Sequence, residues 1–195
     1  MVADLLVVGL RNPGEDFEGS RHNYGAVAVR LVASRHQARL RRERGTSSEV
    51  GSVRIDGKLI VLATPQTYMN DSGMAVQLLT RRYLDGGMTG GHLVIVHDEL
   101  DLPPGTVRVK EGGGTAGHNG LRSIQSHLHT QDFLRVRIGI GKPPGRAQGV
   151  DHVLKRPSKK DRELIDVAVE VAADAVEAIA GEGVAAAMNR FNTKP

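Results

Sequence analysis

Apolar residues follow two rhythms along this chain. Unbroken or alternating runs predict strands at Asp4 to Gly9, Glu49 to Ile55, Lys58 to Ala63, His92 to His97, Thr106 to Lys110 and Phe133 to Ile140. Apolar positions three and four apart predict helices instead. Val27, Leu31 and Val32 share a face over Arg21 to His36, and Met74, Leu78 and Leu79 share one over Ser72 to Leu84. A glycine-rich loop, Gly112 to Gly117, opens into a helix at about His118 to Leu128. A long amphipathic helix follows from Ser158 to Ala180, with Ser158 or Lys159 near its cap and Gly181 as its stop. A short last helix runs from about Val184 to Arg190.

Asp56-Gly57 between two strand-like runs signals a hairpin. The Pro/Gly-rich segment Gly141 to Gly149 reads as a mobile surface loop. Strands alternating with helices imply a three-layer α/β fold, and the hairpin makes its twisted sheet mixed. The length fits one domain spanning 1–195.

Composition narrows the chemistry more than the fold. The chain has no cysteine, which excludes disulfides, thiolate nucleophiles and cysteine-bound metal centres. No apolar run is long enough for a bilayer, and an early Asp4 without a basic leader argues against a signal peptide, so the expected location is the cytoplasm. The formal net charge of +4 suits a polyanionic partner. Arg35, Arg39, Arg41, Arg42 and Arg44 cluster after the first helix, and six acids from Asp161 to Glu177 cluster in the long helix. Two solvated helix faces are the simpler explanation of these clusters, and a nucleic-acid surface needs other support. Without an evident apolar interaction stripe the expected state is a monomer, with no protein partner.

Several familiar chemistries are missing. There is no G-x-S-x-G elbow, no His-Glu-x-x-His, no Walker lysine after the glycine loop and no G-x-G-x-x-G after the first strand. No cofactor and no metal are indicated. What remains is His, Asp and Asn at strand ends, where open α/β folds keep their sites. His22 follows the first strand, and Asp98 follows the Val94 to His97 strand. A carboxylate beside an imidazole fixes its tautomer and readies it to take a proton from water. Asn12, Asn70 and Asn119 stand on three strand-to-helix loops, as turn and cap residues or as amides able to orient a water and an ester carbonyl.

Four ordered segments carry a resemblance. Gly9-Leu10-Arg11-Asn12-Pro13-Gly14 with Phe17 and Ser20-Arg21-His22-Asn23-Tyr24-Gly25 is the first. Pro65 to Gly73, containing Thr67-Tyr68-Met69-Asn70, is the second. His97-Asp98-Glu99-Leu100-Asp101-Leu102-Pro103-Pro104-Gly105 is the third, and Gly117-His118-Asn119-Gly120-Leu121 the fourth. Together they resemble the bacterial-type peptidyl-tRNA hydrolases over most of the chain. The resemblance implies hydrolysis of the ester between a peptide and the 3′-terminal ribose of tRNA. It implies His22 as general base and Asp98 as its orienting acid. Asn12, Asn70 and Asn119, with His118 in the same motif, would hold substrate and water. Met69 would form an apolar wall, and Phe17 and Tyr68 would shape the cleft. Lys110 and Arg137 would grip the 5′-phosphate of tRNA. Arg11 departs from the small residue usual there, Ser20 replaces Thr, and Thr115-Ala116 replace a more glycine-rich pair.

Two other classes compete. One is a non-catalytic RNA-binding protein on the same fold, which the complete His22, Asp98 and Asn set disfavours. The other is a nucleotide-binding enzyme using the Gly112 to Gly117 loop as a phosphate cradle, which the missing Walker lysine disfavours.

Overall fold

A computed structural model describes residues 1–143, 145 and 149–193 of the chain. The strands are β1 (Leu5–Gly9), β2 (Arg41–Glu43), β3 (Ser48–Ile55), β4 (Lys58–Pro65), β5 (Leu93–Glu99), β6 (Val107–Glu111) and β7 (Leu134–Gly139). The helices are α1 (Tyr24–Arg35), α2 (Ser72–Tyr83), α3 (Asn119–Leu128), α4 (Gly149–Leu154), α5 (Lys159–Glu182) and α6 (Val184–Phe191). One seven-stranded sheet has the order β2-β3-β4-β1-β5-β7-β6. Strands β4, β1, β5 and β7 run parallel, while β3 and β6 run against their neighbours. The mixed three-layer architecture expected from the sequence is the one observed.

Alternation along β1 shows how the layers form. Leu5 and Val7 join the cluster under α1, α5 and α6, while Leu6 and Val8 join the one under α2 and α3. The chain leaves β1 through α1 to one side of the strand and returns through α2 to the other. The carboxyl ends of β4, β1 and β5 therefore flank a topological switch point, where such sheets bind ligands. Two glycines bring α1 onto this end. A Cβ on Gly25 would lie 2.2 Å from the Val96 carbonyl oxygen, and one on Gly9 would lie 2.4 Å from that of Gly25. The turn carrying His22 is thereby pressed against β5.

The hairpin forms as predicted, with Ile55 opposite Lys58 and both Asp56 and Gly57 at positive φ. Four boundaries differ from the sequence reading. Strand β5 continues through Asp98 and Glu99, because β7 pairs with them and buries them despite their charge. The short β2 carries Arg41 and Arg42 as an edge strand rather than a helix face. Helix α4 occupies Gly149–Leu154; of the expected 141–149 loop, 144 and 146–148 lie outside the described residues. Helix α5 passes through Gly181, whose missing Cβ admits the Asp56 carboxylate, and ends at Gly183 with φ 93°.

The two charge clusters partly meet each other. Arg35 on α1 pairs with Glu170, Asp174 and Glu177 of α5 at 2.7–3.0 Å. No helix of the described residues is long and apolar enough to cross a membrane.

Candidate active site

A cavity of about 500 Å³ opens at the carboxyl ends of β1, β4 and β5, a size suited to a small ligand or a substrate end. Asn12, Phe17, His22, Tyr68, Met69, Asn70, Asp98, His118 and Asn119 all line it. Nine residues from four separated sequence segments thus converge on one space. Lys110 and Arg137 do not line it; they stand on β6 and β7 beyond it.

At its floor Asp98 is only 1% exposed and is held between two imidazoles. His22 Nδ1 lies 2.8 Å from Oδ2 and 3.0 Å from Oδ1, and His118 Nε2 lies 2.9 Å from Oδ1. Burial alone would raise the Asp98 pKa, but His22 and His118 outweigh it and hold the carboxyl well below the usual carboxylate range. An ionised carboxylate only accepts, so each imidazole nitrogen facing it donates.

That fixes both tautomers. His118 Nδ1 accepts from the backbone N–H groups of Gly120 and Leu121 at 3.1 and 3.3 Å, capping α3. His118 therefore donates through Nε2 and accepts through Nδ1. Both of its nitrogens are occupied by these contacts. His22 donates through Nδ1, which leaves the lone pair of its Nε2 for the cavity. Burial pulls the His22 pKa down, while the charge and hydrogen bond of Asp98 raise it by more, so the net shift is upward.

The asparagines divide into one that is built in and two that are exposed. Asn12 Oδ1 accepts the Met69 N–H at 2.7 Å, so its amide is oriented and Nδ2 keeps its donors. The Asn12 backbone is held in turn by the Asn23 side chain, which accepts from Asn12 N at 2.8 Å and donates to Asn12 O at 3.0 Å. Asn70 and Asn119 are exposed at the rim. None of the three uses its side chain as a helix cap. Met69 is buried against the cavity, and Phe17 meets Tyr68 edge to face at 6.3 Å.

Sequence reasoning assigned no role to Asn23, Arg21 or Glu99, although each sits inside a motif it singled out. Arg21 donates to the carbonyls of His152, Lys155 and Arg156, tying the His22 turn to the end of α4. Glu99 lines the cavity and accepts from Arg137 Nε at 3.2 Å. Leu100, Val150, Val153 and Leu154 add an apolar side with no linear signature. Arg11 donates to Gln66 Oε1 at 3.0 Å.

The glycine loop does not form a phosphate cradle. The carbonyls of Gly113 and Gly114 accept from Arg135, and Gly112 N–H donates to Phe133 O. A phosphate site needs N–H groups pointing at the ligand. His22, Asp98 and His118 also bring three metal-ligating side chains together, with ligand atoms within 4.8 Å. Metal binding at His118 Nε2 would move its proton to Nδ1, which already accepts from the Gly120 and Leu121 N–H groups, so the observed hydrogen bonding does not suit a metal there.

Fold and site together define an α/β protein of the hydrolase type, with a polar cavity at the carboxyl ends of its strands. A family model for peptidyl-tRNA hydrolase matches residues 6–195. Peptidyl-tRNA hydrolases from Cutibacterium acnes and Nocardia farcinica are 45% and 46% identical to the chain; the first match covers 99% of this chain and all of the relative, the second 96% and 95%. A crystal structure of peptidyl-tRNA hydrolase from Acinetobacter baumannii superposes with a TM-score of 0.90 at 35% identity, covering 99% of this chain and 97% of the other. The chain belongs to the peptidyl-tRNA hydrolase family and is a hydrolase.

Proposed function

We propose that the chain hydrolyses the ester joining a peptide to the 3′-terminal ribose of tRNA, with water activated by His22. The observation that carries this reading is the buried Asp98 accepting from both imidazoles, which leaves His22 Nε2 as the base lone pair at the cavity. A water hydrogen-bonded to Nε2 loses its proton to His22 as it attacks the ester carbonyl. Asp98 stabilises the imidazolium that forms, and the proton then passes to the leaving ribose oxygen. General-base catalysis of this kind contributes about 10²–10⁴-fold.

The developing oxyanion needs donors, each typically worth about 10²–10³-fold. The oriented Nδ2 of Asn12 supplies one; Asn70 and Asn119 at the rim hold substrate and water. Met69 walls the reacting group, and Phe17 with Tyr68 frames the entrance. Lys110 and Arg137, outside the cavity on adjoining strands, bind the 5′-phosphate. On this reading the protein binds tRNA and acts as a cytoplasmic monomer without a cofactor.

The test is pre-steady-state release of tRNA from an N-blocked aminoacyl-tRNA, in H₂O and in D₂O. Water activation predicts no burst and slower turnover in D₂O. A burst stoichiometric with enzyme would mark an acyl intermediate and contradict the mechanism.

A further inference from the structure

Arg135 is the most deeply buried cation near the site, 2% exposed, and it breaks a rule. Buried charges are ordinarily paired, yet Arg135 makes no ion pair among the described residues. Its guanidinium donates to the carbonyls of Gly113 and Gly114, the latter at 2.5 Å, and lies 4.8 Å from the centre of the Phe133 ring. Its Nε has no protein partner. Carbonyl dipoles solvate a guanidinium but do not neutralise it, and arginine keeps its proton. The nearby acid, Glu99, is bound to Arg137 instead.

The register shows where this charge acts. Lys110 lies directly across from Arg135, and Arg108 directly across from Arg137. Residues opposite one another, or two apart on one strand, share a face of a sheet. All four cations therefore stand on one face, while Val107, Val109, Val136 and Ile138 turn to the other and join the core under α5. The carbonyls that Arg135 holds also fix Gly113, against which the Lys110 side chain packs. A Cβ on Gly113 would lie 2.6 Å from Lys110 Nζ.

We propose that Arg135 is a positioning residue of the substrate's phosphate site: it never touches the phosphate, but its uncompensated charge strengthens anion binding at Lys110 and Arg137 while its carbonyl bonds hold Lys110 in place. This rests on the phosphate-binding reading of Lys110 and Arg137 given above. A unit charge one strand behind the ligand, at an intermediate effective dielectric, changes anion affinity by about five- to tenfold.

The experiment compares binding of two deacylated tRNAs, identical except for a 5′-phosphate or a 5′-hydroxyl, to the parent protein, Arg135→Gln, Arg135→Lys and Lys110→Ala, with folding checked by circular dichroism. The expected result is a parent that prefers the 5′-phosphate, a preference reduced about five- to tenfold in Arg135→Gln, and unchanged affinity for the 5′-hydroxyl RNA. Arg135→Lys, which keeps charge but loses the forked carbonyl bonds, recovers part of the preference. An undiminished preference in folded Arg135→Gln, alongside a lost one in Lys110→Ala, would overturn the role of Arg135 alone. No preference in the parent would overturn the phosphate site itself. A loss of affinity in Arg135→Gln equal for both RNAs would also overturn the inference, because a general structural role predicts it.

Discussion

His22 Nδ1 and Asp98 Oδ2 lie 2.8 Å apart in a buried contact bridging 76 residues of sequence. The contact holds His22 in the one neutral tautomer that turns a lone pair to the cavity. Asp98→Asn keeps the shape but replaces an acceptor-only group with an amide, so the tautomer is no longer enforced. The expected result is a fall in kcat of about 10³–10⁴ with KM little changed, measured on an N-blocked aminoacyl-tRNA. Turnover near that of the parent would show that Asp98 does not act through His22.

The same contact sets the pH profile. The net upward shift of the His22 pKa means that the neutral, active base is populated only above a value higher than 6.5. Activity should rise with pH through that value, and the rise should move to lower pH in Asp98→Asn. The stability conferred by the pair has the opposite sign: it is complete below pH 6.5 and lost as pH climbs through the raised pKa. An acid limb unmoved by Asp98→Asn would dissociate the titration from His22.

His97 sits behind the site, with Nδ1 donating to Asp98 O and its ring 5.1 Å from that of His118. Burial, reinforced by His118 and Arg135, pushes its pKa down to about 3 against the weaker pull of Asp98. The unfolded chain takes up a proton below about pH 6.5 that the native state refuses. Stability should therefore fall with pH from about 6.5 toward 3, by about 2 kcal/mol between pH 6.5 and 5 from this group. Urea denaturation at both pH values, in the parent and in His97→Gln, reads the difference; equal slopes in the two proteins would remove His97 as the cause.

Asn23 should matter although it does not line the cavity. Asn23→Ala leaves the buried N–H and C=O of Asn12 without partners, at about 1–3 kcal/mol each. The turn that aims the Asn12 amide then loosens, and kcat/KM should fall about 10²-fold, as displacement of about 1 Å costs. A variant destabilised to that extent yet fully active would separate Asn12 geometry from catalysis.

Lys110→Ala should raise KM, leave kcat nearly intact, and reduce the slope of log affinity against log salt by about one. An unchanged KM and slope would remove Lys110 from the RNA contact.

Much of this site could be read from the chain, because turn chemistry and strand ends are local. Asn12-Pro13-Gly14 and Asp56-Gly57 announce their turns, and the apolar runs of β1 and β5 announce buried strands. Three things were not legible, each for a physical reason. Asp98 and Glu99 end a strand that polar residues would seem to break, and only pairing with β7 extends it. Nothing in the sequence signals that both nitrogens of His118 are engaged, one by α3 and one by Asp98, because only the fold brings the end of β5 to the start of α3. Arg135 carries no signal of its own in the sequence, since nothing in an alternating Arg-Val-Arg run tells which arginine is buried.

The most direct test of the central claim is release of free tRNA from a defined N-blocked aminoacyl-tRNA in EDTA, parent against His22→Ala. Metal-free water activation predicts rapid cleavage by the parent and a loss of about 10²–10⁴-fold in kcat in the variant, with RNA binding retained. Cleavage by His22→Ala at the parent's rate, or a parent inactive in EDTA and restored by a divalent ion, would contradict it.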